Sequence, residues 1–417
     1  MSDLSVELTA PNGKKYTQPT GLFINNEWVE SSNGQKLTSI NPTYITPAHT
    51  YPAEDTEIAS VYAATVDDVD TAVAAARKAF KDPSWRDISP TDRGNLMIKL
   101  SDLCDANKEI LATIETWDNG KTYAESLADI GEVTSVLKYY GGYADKIHGQ
   151  VIDTGPKKFA YTIKEPVGVC AINMKNITLE TGGKSPLLVF EDADLEQAVK
   201  WAHIGIMSNQ GQICTATSRI LVQDSIYDTF ISAFKEQVHK VSVVGDPFAE
   251  TTFQGPQVTK SQYERILGFV KAGKEEGATL VSGGEAFTSG PTSGKGFFIS
   301  PTVFTGVTPN MKIFREEVFG PFVTIANFKT EEEAIELAND TTYGLGSAVF
   351  TQDLTRAHRV AKNIEAGMVW INSSNDSDFR IPFGGVKQSG IGRELGEAGL
   401  AGYTQIKSVH VNMGARL

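Results

Sequence analysis

The residues best suited to covalent chemistry include a cysteine in a small, polar and glycine-containing stretch. Cys214 lies within residues 208–218 (SNQGQICTATS). A catalytic thiol needs solvent access and nearby backbone N–H groups that stabilise a thiolate and later an oxyanion, and this setting suits both needs. Free cysteine is, however, among the most buried residue types, so an arbitrary cysteine is more often a small core residue. We expect that buried role for Cys104 and Cys170, which lie in apolar patterns.

A glutamate stands directly before a second glycine-rich turn. Glu180 lies within residues 178–186 (TLETGGKSP), at the end of a short strand-like segment. A carboxylate in this place is positioned as an active-site base would be, although a solvated charge at a strand end is the more common role of such a residue. The residues after it resemble the end of a phosphate-binding loop. The glycine required five positions before Gly183 is Thr178, which excludes that loop.

Other kinds of site lack their patterns. The six histidines show no H-E-x-x-H spacing and the three cysteines form no C-x-x-C pair, so we expect no metal site. Two G-x-G starts, at Gly344 and Gly390, have Val349 and Leu395 where a dinucleotide-binding fingerprint has its last glycine. The nucleophile elbow G-x-S-x-G is also absent from the sequence.

Composition limits the class of protein. The chain has 417 residues, of which 41% are hydrophobic, enough for two or three domains with a large core. Its net charge of −13 argues against partners such as nucleic acid or an anionic membrane surface. No apolar run approaches the roughly 18 residues of a membrane span, and the N-terminus shows no secretory or transit pattern. Three cysteines are typical of a reducing compartment, so we expect a cytoplasmic protein.

The first half of the chain contains turns, then helices, then a hairpin. Residues 44–53, with two prolines and no period, indicate a surface loop. Helices follow over residues 65–145, and they begin with a capping-box spacing. Strand-like segments at residues 149–163 predict a protruding hairpin whose edges need covering. The alternating tail at 403–411 is a candidate partner strand, and an ordinary sheet edge is an equally good alternative.

From residue 187 onward, strand and helix patterns alternate, which predicts an α/β fold with an open, largely parallel sheet covered by helices. The predicted strands are residues 219–223, 278–281, 322–326, 347–350 and 368–371, and the predicted helices are 225–240, 261–274, 354–365 and one beginning after Thr330.

Four segments, taken together and in this order, resemble the aldehyde dehydrogenase superfamily and are similar to its fungal cytosolic enzymes. They are residues 179–186 (LETGGKSP), 210–215 (QGQICT), 316–321 (EEVFGP) and 382–395 (PFGGVKQSGIGREL). The resemblance implies an aldehyde dehydrogenase-like α/β fold. Its parts would be a truncated Rossmann-type domain, an intact α/β catalytic domain and a β oligomerisation arm.

The resemblance also implies a reaction. Cys214 would attack the carbonyl of a small aldehyde to give a thiohemiacetal. Hydride would leave for the nicotinamide of NAD or NADP, and Glu180 would activate the water that hydrolyses the resulting thioester to the carboxylic acid. Glu317 matches the residue that holds the nicotinamide ribose, and Phe319 lies beside it. The hairpin and the C-terminal strand match the part of the family that assembles homodimers or tetramers.

The resemblance is interrupted once. Residues 166–169 resemble the first strand of the dinucleotide-binding domain and residues 177–179 its last strand, but only residues 170–176 separate them. At roughly 30 residues per βαβ unit, something like 80 residues are absent. The absent part would carry the asparagine of the oxyanion hole, the lysine for the adenosine ribose and the residues that distinguish NAD from NADP. Asn173 lacks the flanking residues of that asparagine.

The insertion at 44–53 and the deletion at 170–176 together suggest a retained intron and a skipped exon, or a wrong gene model. A transcript that spans both places and encodes this same sequence would count against that hypothesis.

We therefore expect five parts and keep three hypotheses on function. The hypotheses are an aldehyde dehydrogenase that uses NAD or NADP, a non-catalytic partner subunit of a full-length homologue, and a cofactor-independent esterase that uses Cys214 and Glu180. The expected parts are the helical N-terminal part of the cofactor domain (1–148), the oligomerisation hairpin (149–165), the truncated dinucleotide-binding core (166–186), the catalytic domain (187–400) and the C-terminal oligomerisation strand (401–417).

Overall fold

The computed structural model describes residues 4–43, 57–170, 177–289 and 296–414. The whole of the predicted loop at 44–53, and Asn173, lie outside these residues. Within the four described ranges, no helix is long and apolar enough to cross a bilayer.

The described residues form twelve α-helices and eighteen strands. The helices are α1 (Val66–Lys81), α2 (Pro83–Arg86), α3 (Pro90–Ala106), α4 (Lys108–Asn119), α5 (Tyr123–Tyr143), α6 (Leu195–Met207), α7 (Tyr227–Val241), α8 (Lys260–Glu275), α9 (Lys312–Arg315), α10 (Glu331–Asn339), α11 (Leu354–Asn363) and α12 (Gly396–Leu400). The strands are β1 (Ser5–Thr9), β2 (Lys15–Pro19), β3 (Leu22–Ile24), β4 (Glu27–Val29), β5 (Lys36–Ile40), β6 (Glu57–Tyr62), β7 (Val151–Asp153), β8 (Lys158–Pro166), β9 (Leu179–Glu180), β10 (Pro186–Val189), β11 (Arg219–Gln223), β12 (Thr279–Ser282), β13 (Thr302–Thr305), β14 (Phe322–Phe328), β15 (Gly346–Phe350), β16 (Met368–Ile371), β17 (Gly390–Ile391) and β18 (Thr404–Asn412).

The C-terminal half is built on one seven-stranded sheet, in the order β12-β13-β14-β11-β10-β15-β16. Every neighbouring pair is parallel except β12 with β13. Along the buried strand β10, Leu187 packs in a cluster with Phe230 of α7, and Leu188 packs in a second cluster with Ile266 of α8. Successive side chains therefore point to opposite faces, and both faces are covered by helices. The predicted α/β alternation is confirmed.

The N-terminal half consists of helices and small antiparallel pairs. Helix α1 begins with the predicted capping box, because the Thr65 side chain accepts from the N–H of Asp68 and the Asp68 carboxylate accepts from the N–H of Thr65. Helix α3 packs against α5 at a glycine contact. A Cβ at Gly94 would lie 2.4 Å from the carbonyl oxygen of Gly141, so the two backbones approach more closely than a side chain permits.

The predicted hairpin forms a three-stranded antiparallel arm. Strand β8 lies between β7 and the C-terminal strand β18. The register with β18 runs from Pro166 opposite Thr404 to Lys158 opposite Asn412. The tail is therefore the partner strand of the hairpin, as one of the two alternatives predicted.

The break in the dinucleotide-binding core differs from expectation. The strand expected at 166–169 is not formed: Pro166 ends β8, and the next N–H, of Val167, donates to the carbonyl of Tyr403 beside the arm. The strand expected at 177–179 is reduced to β9, which pairs antiparallel with β17. Among the described residues, no parallel sheet precedes Pro186. Residues 166–167 follow the arm and β9 pairs with β17, because the described residues before Pro186 offer no parallel strand for either segment.

Two cysteines also differ from expectation. Cys170 is exposed and Cys104 is only partly buried, so the prediction of a buried role is wrong for Cys170. No layer of the described chain covers Cys170, which follows the end of β8 and precedes the break. All three cysteines of the described chain are free thiols.

Candidate active site

Cys214 lies in a tight loop between α6 and β11. Three successive residues of this loop, Asn209, Gln210 and Gly211, have positive φ angles of 46°, 55° and 69°. Such angles are costly for residues with side chains and persist only where surrounding contacts impose them. One such contact joins the N–H of Asn209 to Oε1 of Glu125, at 2.8 Å. The backbone of the loop that carries the Cys214 thiol is therefore held in place by contacts with other parts of the chain, such as Glu125.

The cysteine loop touches the turn that carries two further predicted residues, Glu317 and Phe319. A Cβ at Gly211 would lie 1.9 Å from the carbonyl oxygen of Gly320, so the two backbones are in direct contact. Phe319 has a positive φ of 59°. Nε2 of Gln262, in α8, donates to the carbonyl oxygen of Phe319 at 2.6 Å and fixes this turn.

The turn after Glu180 completes the cluster. Glu180 ends β9, and the pairing of β9 with β17 anchors it. Three residues later, the N–H of Gly183 donates to Oε1 of Glu317 at 3.0 Å. A Cβ at Gly183 would lie 3.0 Å from the carbonyl oxygen of Cys214. The structure thus brings the segments of Cys214, Glu180 and Glu317 together, although they are far apart in the sequence.

The surroundings of Cys214 favour the neutral thiol. Burial raises its pKa, and the nearby charges of Glu180 and Glu317 raise it further, against a lowering by the backbone N–H of Thr215. Cysteines that react as free thiolates have lowered pKa values. Cys214 therefore carries its proton at neutral pH and needs a base before it can attack.

Both carboxylates have pKa values above the usual range for glutamate. Burial and then the charge of Glu394 raise the pKa of Glu180, against a smaller effect of Arg393. Burial raises the pKa of Glu317, against the N–H of Gly183. A carboxylate is a better base when its pKa moves towards neutral, so Glu180 is suited to accept a proton.

Sequence reasoning missed two buried basic residues beneath the site, Lys184 and Arg219. Arg219 is fully buried and donates to the carbonyl oxygens of Lys184, Leu337 and Ala338 at 2.8–2.9 Å. It therefore ties the entrance of β10 to the last turn of α10. Nζ of Lys184 is buried without a hydrogen-bond partner in the described structure, and burial lowers its pKa to about 7. Neither role has a local sequence signal, since both depend on tertiary neighbours.

Comparison with known proteins identifies the family. The sequence model described as "Aldehyde dehydrogenase family" matches residues 46–172 and 171–409, in two pieces that meet at the break. An aldehyde dehydrogenase of Aspergillus niger is 41% identical over 513 positions that cover all of both chains. Aldehyde dehydrogenase [NAD(P)+] 1 of Saccharomyces cerevisiae is 37% identical, over 99% of each chain.

Solved structures agree with this result. A betaine aldehyde dehydrogenase of Staphylococcus aureus, solved with NAD+, superimposes with a TM-score of 0.89 at 33% identity and covers 95% of this chain and 98% of its own. A Bacillus cereus aldehyde dehydrogenase gives the same TM-score at 35% identity. The predicted fold class and the predicted resemblance are both confirmed.

The alignment length also gives the total number of absent positions. The alignment with the Aspergillus niger enzyme spans 513 positions, 96 more than the 417 residues of this chain. Summed over all gaps, 96 positions of the alignment therefore have no residue of this chain. Because the family match covers most of the chain and the full-length relatives exceed 30% identity, the chain belongs to the aldehyde dehydrogenase family.

Proposed function

We propose that this protein oxidises a small aldehyde to a carboxylic acid with NAD or NADP, with Cys214 as the nucleophile and Glu180 as the general base. The family acts on aldehydes in general, and the finer assignment depends on the site. The observation that carries it is the contact of Gly183 with both the Cys214 backbone and the Glu317 carboxylate. This contact supports the proposal, because it brings the chain segments of Cys214, Glu180 and Glu317 together.

The residues of this chain have distinct tasks in that reaction. Because Cys214 is protonated, a base must take its proton before sulfur attacks the carbonyl carbon, and Glu180 is the adjacent carboxylate with a raised pKa. The attack gives a thiohemiacetal. Glu180 releases this first proton to solvent before the second half of the reaction, and after oxidation to the thioester the free carboxylate takes a proton from the water that releases the acid.

The described residues fit one end of the cofactor. Glu317 and Phe319 are suited to hold the nicotinamide ribose, since their turn lies against the cysteine loop. When bound, the dinucleotide supplies the hydride acceptor. The remainder of a dinucleotide site is built at the ends of parallel strands, and no such sheet precedes Pro186 among the described residues. The residues present therefore fit the nicotinamide end and not the adenosine end.

A second candidate function, cofactor-independent ester hydrolysis, follows from this difference. Acyl transfer to Cys214 and its release by water need a thiol, a base and oxyanion donors, and no hydride acceptor. Cys214 precedes β11 of the seven-stranded sheet, and Glu180 is held beside it by the pairing of β9 with β17.

The third candidate is a partner subunit that joins other dehydrogenase chains through the arm. Val151 and Ile406, on the outer strands of the arm, are 74% and 71% exposed. An exposed apolar sheet favours coverage by another subunit, so we propose a dimer or tetramer. The free thiols of the described chain favour a cytoplasmic location.

The deciding experiment measures NAD(P)H formation by the 417-residue protein with a short aliphatic aldehyde and each cofactor, and p-nitrophenyl acetate hydrolysis in parallel. Cys214→Ala is the test variant, and Cys170→Ala, which removes an exposed thiol, is the matched control. NAD(P)H formation that only Cys214→Ala abolishes supports the dehydrogenase. Cys214-dependent ester hydrolysis without NAD(P)H supports the esterase. Inactivity in both assays with a folded protein contradicts both activities and leaves the partner subunit, which co-purification with a full-length homologue then tests.

A further inference from the structure

Helix α3 has two apolar faces, of which one packs against α5. The face that contains Met97 and Ile98 packs against α5, where a Cβ at Gly141 would touch both side chains. The opposite face carries Leu96, Leu100 and Leu103, which are 51%, 50% and 53% exposed. We call these three residues the leucine stripe. A helix that is apolar on two sides is typical of a helix buried between two layers, so α3 has the composition of a central element but the environment of a surface one.

A second exposed apolar group flanks the break in the chain. Leu179 and Ile391 lie opposite each other in the β9–β17 pair and are 45% and 58% exposed. Tyr403, which accepts from the N–H of Val167 on the other side of the break, is 63% exposed. We call Leu179, Ile391 and Tyr403 the break patch. Scattered apolar residues at a surface are ordinary, but a group gathered at one place marks an interaction site.

A chain of contacts joins the helices to the break patch. In α5, the helix on which α3 packs, the Tyr140 hydroxyl donates to the carbonyl oxygen of Gly396 at 3.0 Å. A Cβ at Gly399, in the same short helix α12, would lie 2.8 Å from that hydroxyl. Helix α12 ends just before Tyr403. Helices α3 and α5 are therefore connected to the segments at the break through helix α12.

We propose that the leucine stripe and the break patch form a docking surface for an α/β layer homologous to the stretch that the fungal relatives have and this chain lacks. The absent positions are numerous enough for such a layer, since 96 unmatched alignment positions in total could accommodate about three βα units. The layer has the right place, since the family match divides at residues 171–172, between the two sides of the break patch. It also has the right chemistry, because a parallel sheet needs apolar cover on both faces.

This surface borders the arm at Tyr403 but includes no residue of β7, β8 or β18, and it does not depend on turnover by Cys214. The occupant is another polypeptide that carries this layer. Its apolar underside would cover α3 and the strand ends at the break, and would thereby complete the half of the molecule where the described residues lack a parallel sheet.

The first test co-expresses this chain with a tagged polypeptide that corresponds to the unmatched stretch of the Aspergillus niger enzyme, and measures capture of the chain. We expect capture by the tag, and a loss of about tenfold or more with Leu100→Glu, since a charge would be buried in an apolar contact. The matched control is Asn95→Glu, which adds the same charge at an exposed position of α3 outside the leucine stripe. Equal capture of both variants would overturn the proposal.

A second test removes the question of whether the separate stretch folds. The same stretch replaces residues 171–176 in the chain itself, and hydroxyl-radical footprinting compares leucine oxidation with and without it. We expect several-fold protection of Leu96, Leu100 and Leu103, and none of Phe23, which is 59% exposed in strand β3 and belongs to neither the leucine stripe nor the break patch. Leucines that stay as reactive as in the original chain would overturn the docking surface even if the first test gave capture.

Discussion

The backbone N–H of Gly183 donates a 3.0 Å hydrogen bond to Oε1 of Glu317, across 134 residues of sequence. This bond joins the turn after the proposed base to the turn that contains Phe319. The Glu317 carboxylate is therefore fixed by backbone, and its position does not depend on a bound dinucleotide. The Glu317 carboxylate also leaves little space for a side chain at the neighbouring Gly182.

Gly182→Ala tests that limit. Gly182 has a φ of +78°, and a Cβ there would lie 2.5 Å from Oε2 of Glu317. We expect the free energy of unfolding to fall by about 1–3 kcal/mol, measured by urea denaturation. The control is Gly142→Ala in α5, where no atom lies within 4 Å and alanine is expected to stabilise the helix by about 0.5–1 kcal/mol. Two variants of equal stability would contradict the contact.

Glu180→Gln tests the electrostatic link to Cys214. After burial, the Glu180 charge is the largest cause of the raised pKa of the thiol. Its removal should lower that pKa, so the alkylation of Cys214 by iodoacetamide should reach its midpoint at a lower pH and be several-fold faster at pH 8. Mass spectrometry of the Cys214 peptide gives the rate. Glu332→Gln, an exposed change in α10, should leave the profile unchanged. If the pH profile of alkylation is unchanged in Glu180→Gln, the Glu180 charge does not affect the pKa of Cys214, which would contradict the link.

We expect the buried His203 to make the protein less stable in acid. His203 is fully buried in α6, its Nε2 lies 2.7 Å from Oγ of Ser242, and burial lowers its pKa from 6.5 to about 4. Between these values the unfolded chain binds the proton more readily, so the free energy of unfolding falls as the pH falls from 6.5 towards 4, by up to about 3 kcal/mol. His203→Phe should flatten this dependence in urea titrations at pH 7, 6 and 5. His358→Gln, at an exposed position, should keep the wild-type slope.

Lys184→Met is expected to stabilise the protein. The pKa of Lys184 is lowered from 10.5 to about 7, so its folded form favours the neutral amine and stability rises as the pH rises through that interval. The variant should be more stable by about 1–4 kcal/mol at pH 7 and should lose the rise towards pH 9.5, measured by urea unfolding. Lys362→Met, at an exposed site, should change neither the stability at pH 7 nor its rise towards pH 9.5. A variant less stable than wild type at pH 7 would mean that Lys184 has a compensating partner.

The sequence predicted the parts whose signals are local or periodic. The alternation after residue 187 and the capping box at Thr65 depend on spacing along one element, and both are present in the structure. The pairing of β8 with β18 was one of two alternatives, since the apolar–polar alternation of a strand does not indicate which other strand it pairs with. The roles predicted for Cys214, Glu180, Glu317 and Phe319 remain predictions.

The rest depends on tertiary neighbours. The helices that cover β10 and β11 decide the burial of Lys184 and Arg219. The residues next to a lysine or arginine in the sequence do not indicate whether such a layer covers it. The strand expected at 166–169 was inferred from a family whose sheet has parallel partners for it. With no such partner in the described chain, the residues after Pro166 follow the arm instead.

The pairing of β8 with β18 also fixes when the arm can form during synthesis. Its two halves are separated by more than half of the chain, and the nine residues that complete it end at Asn412. A ribosome releases the N-terminal segments first, so β7 and β8 emerge long before their partner. The arm is therefore finished only after all the other described helices and strands have been made, and β8 remains without this neighbour until then.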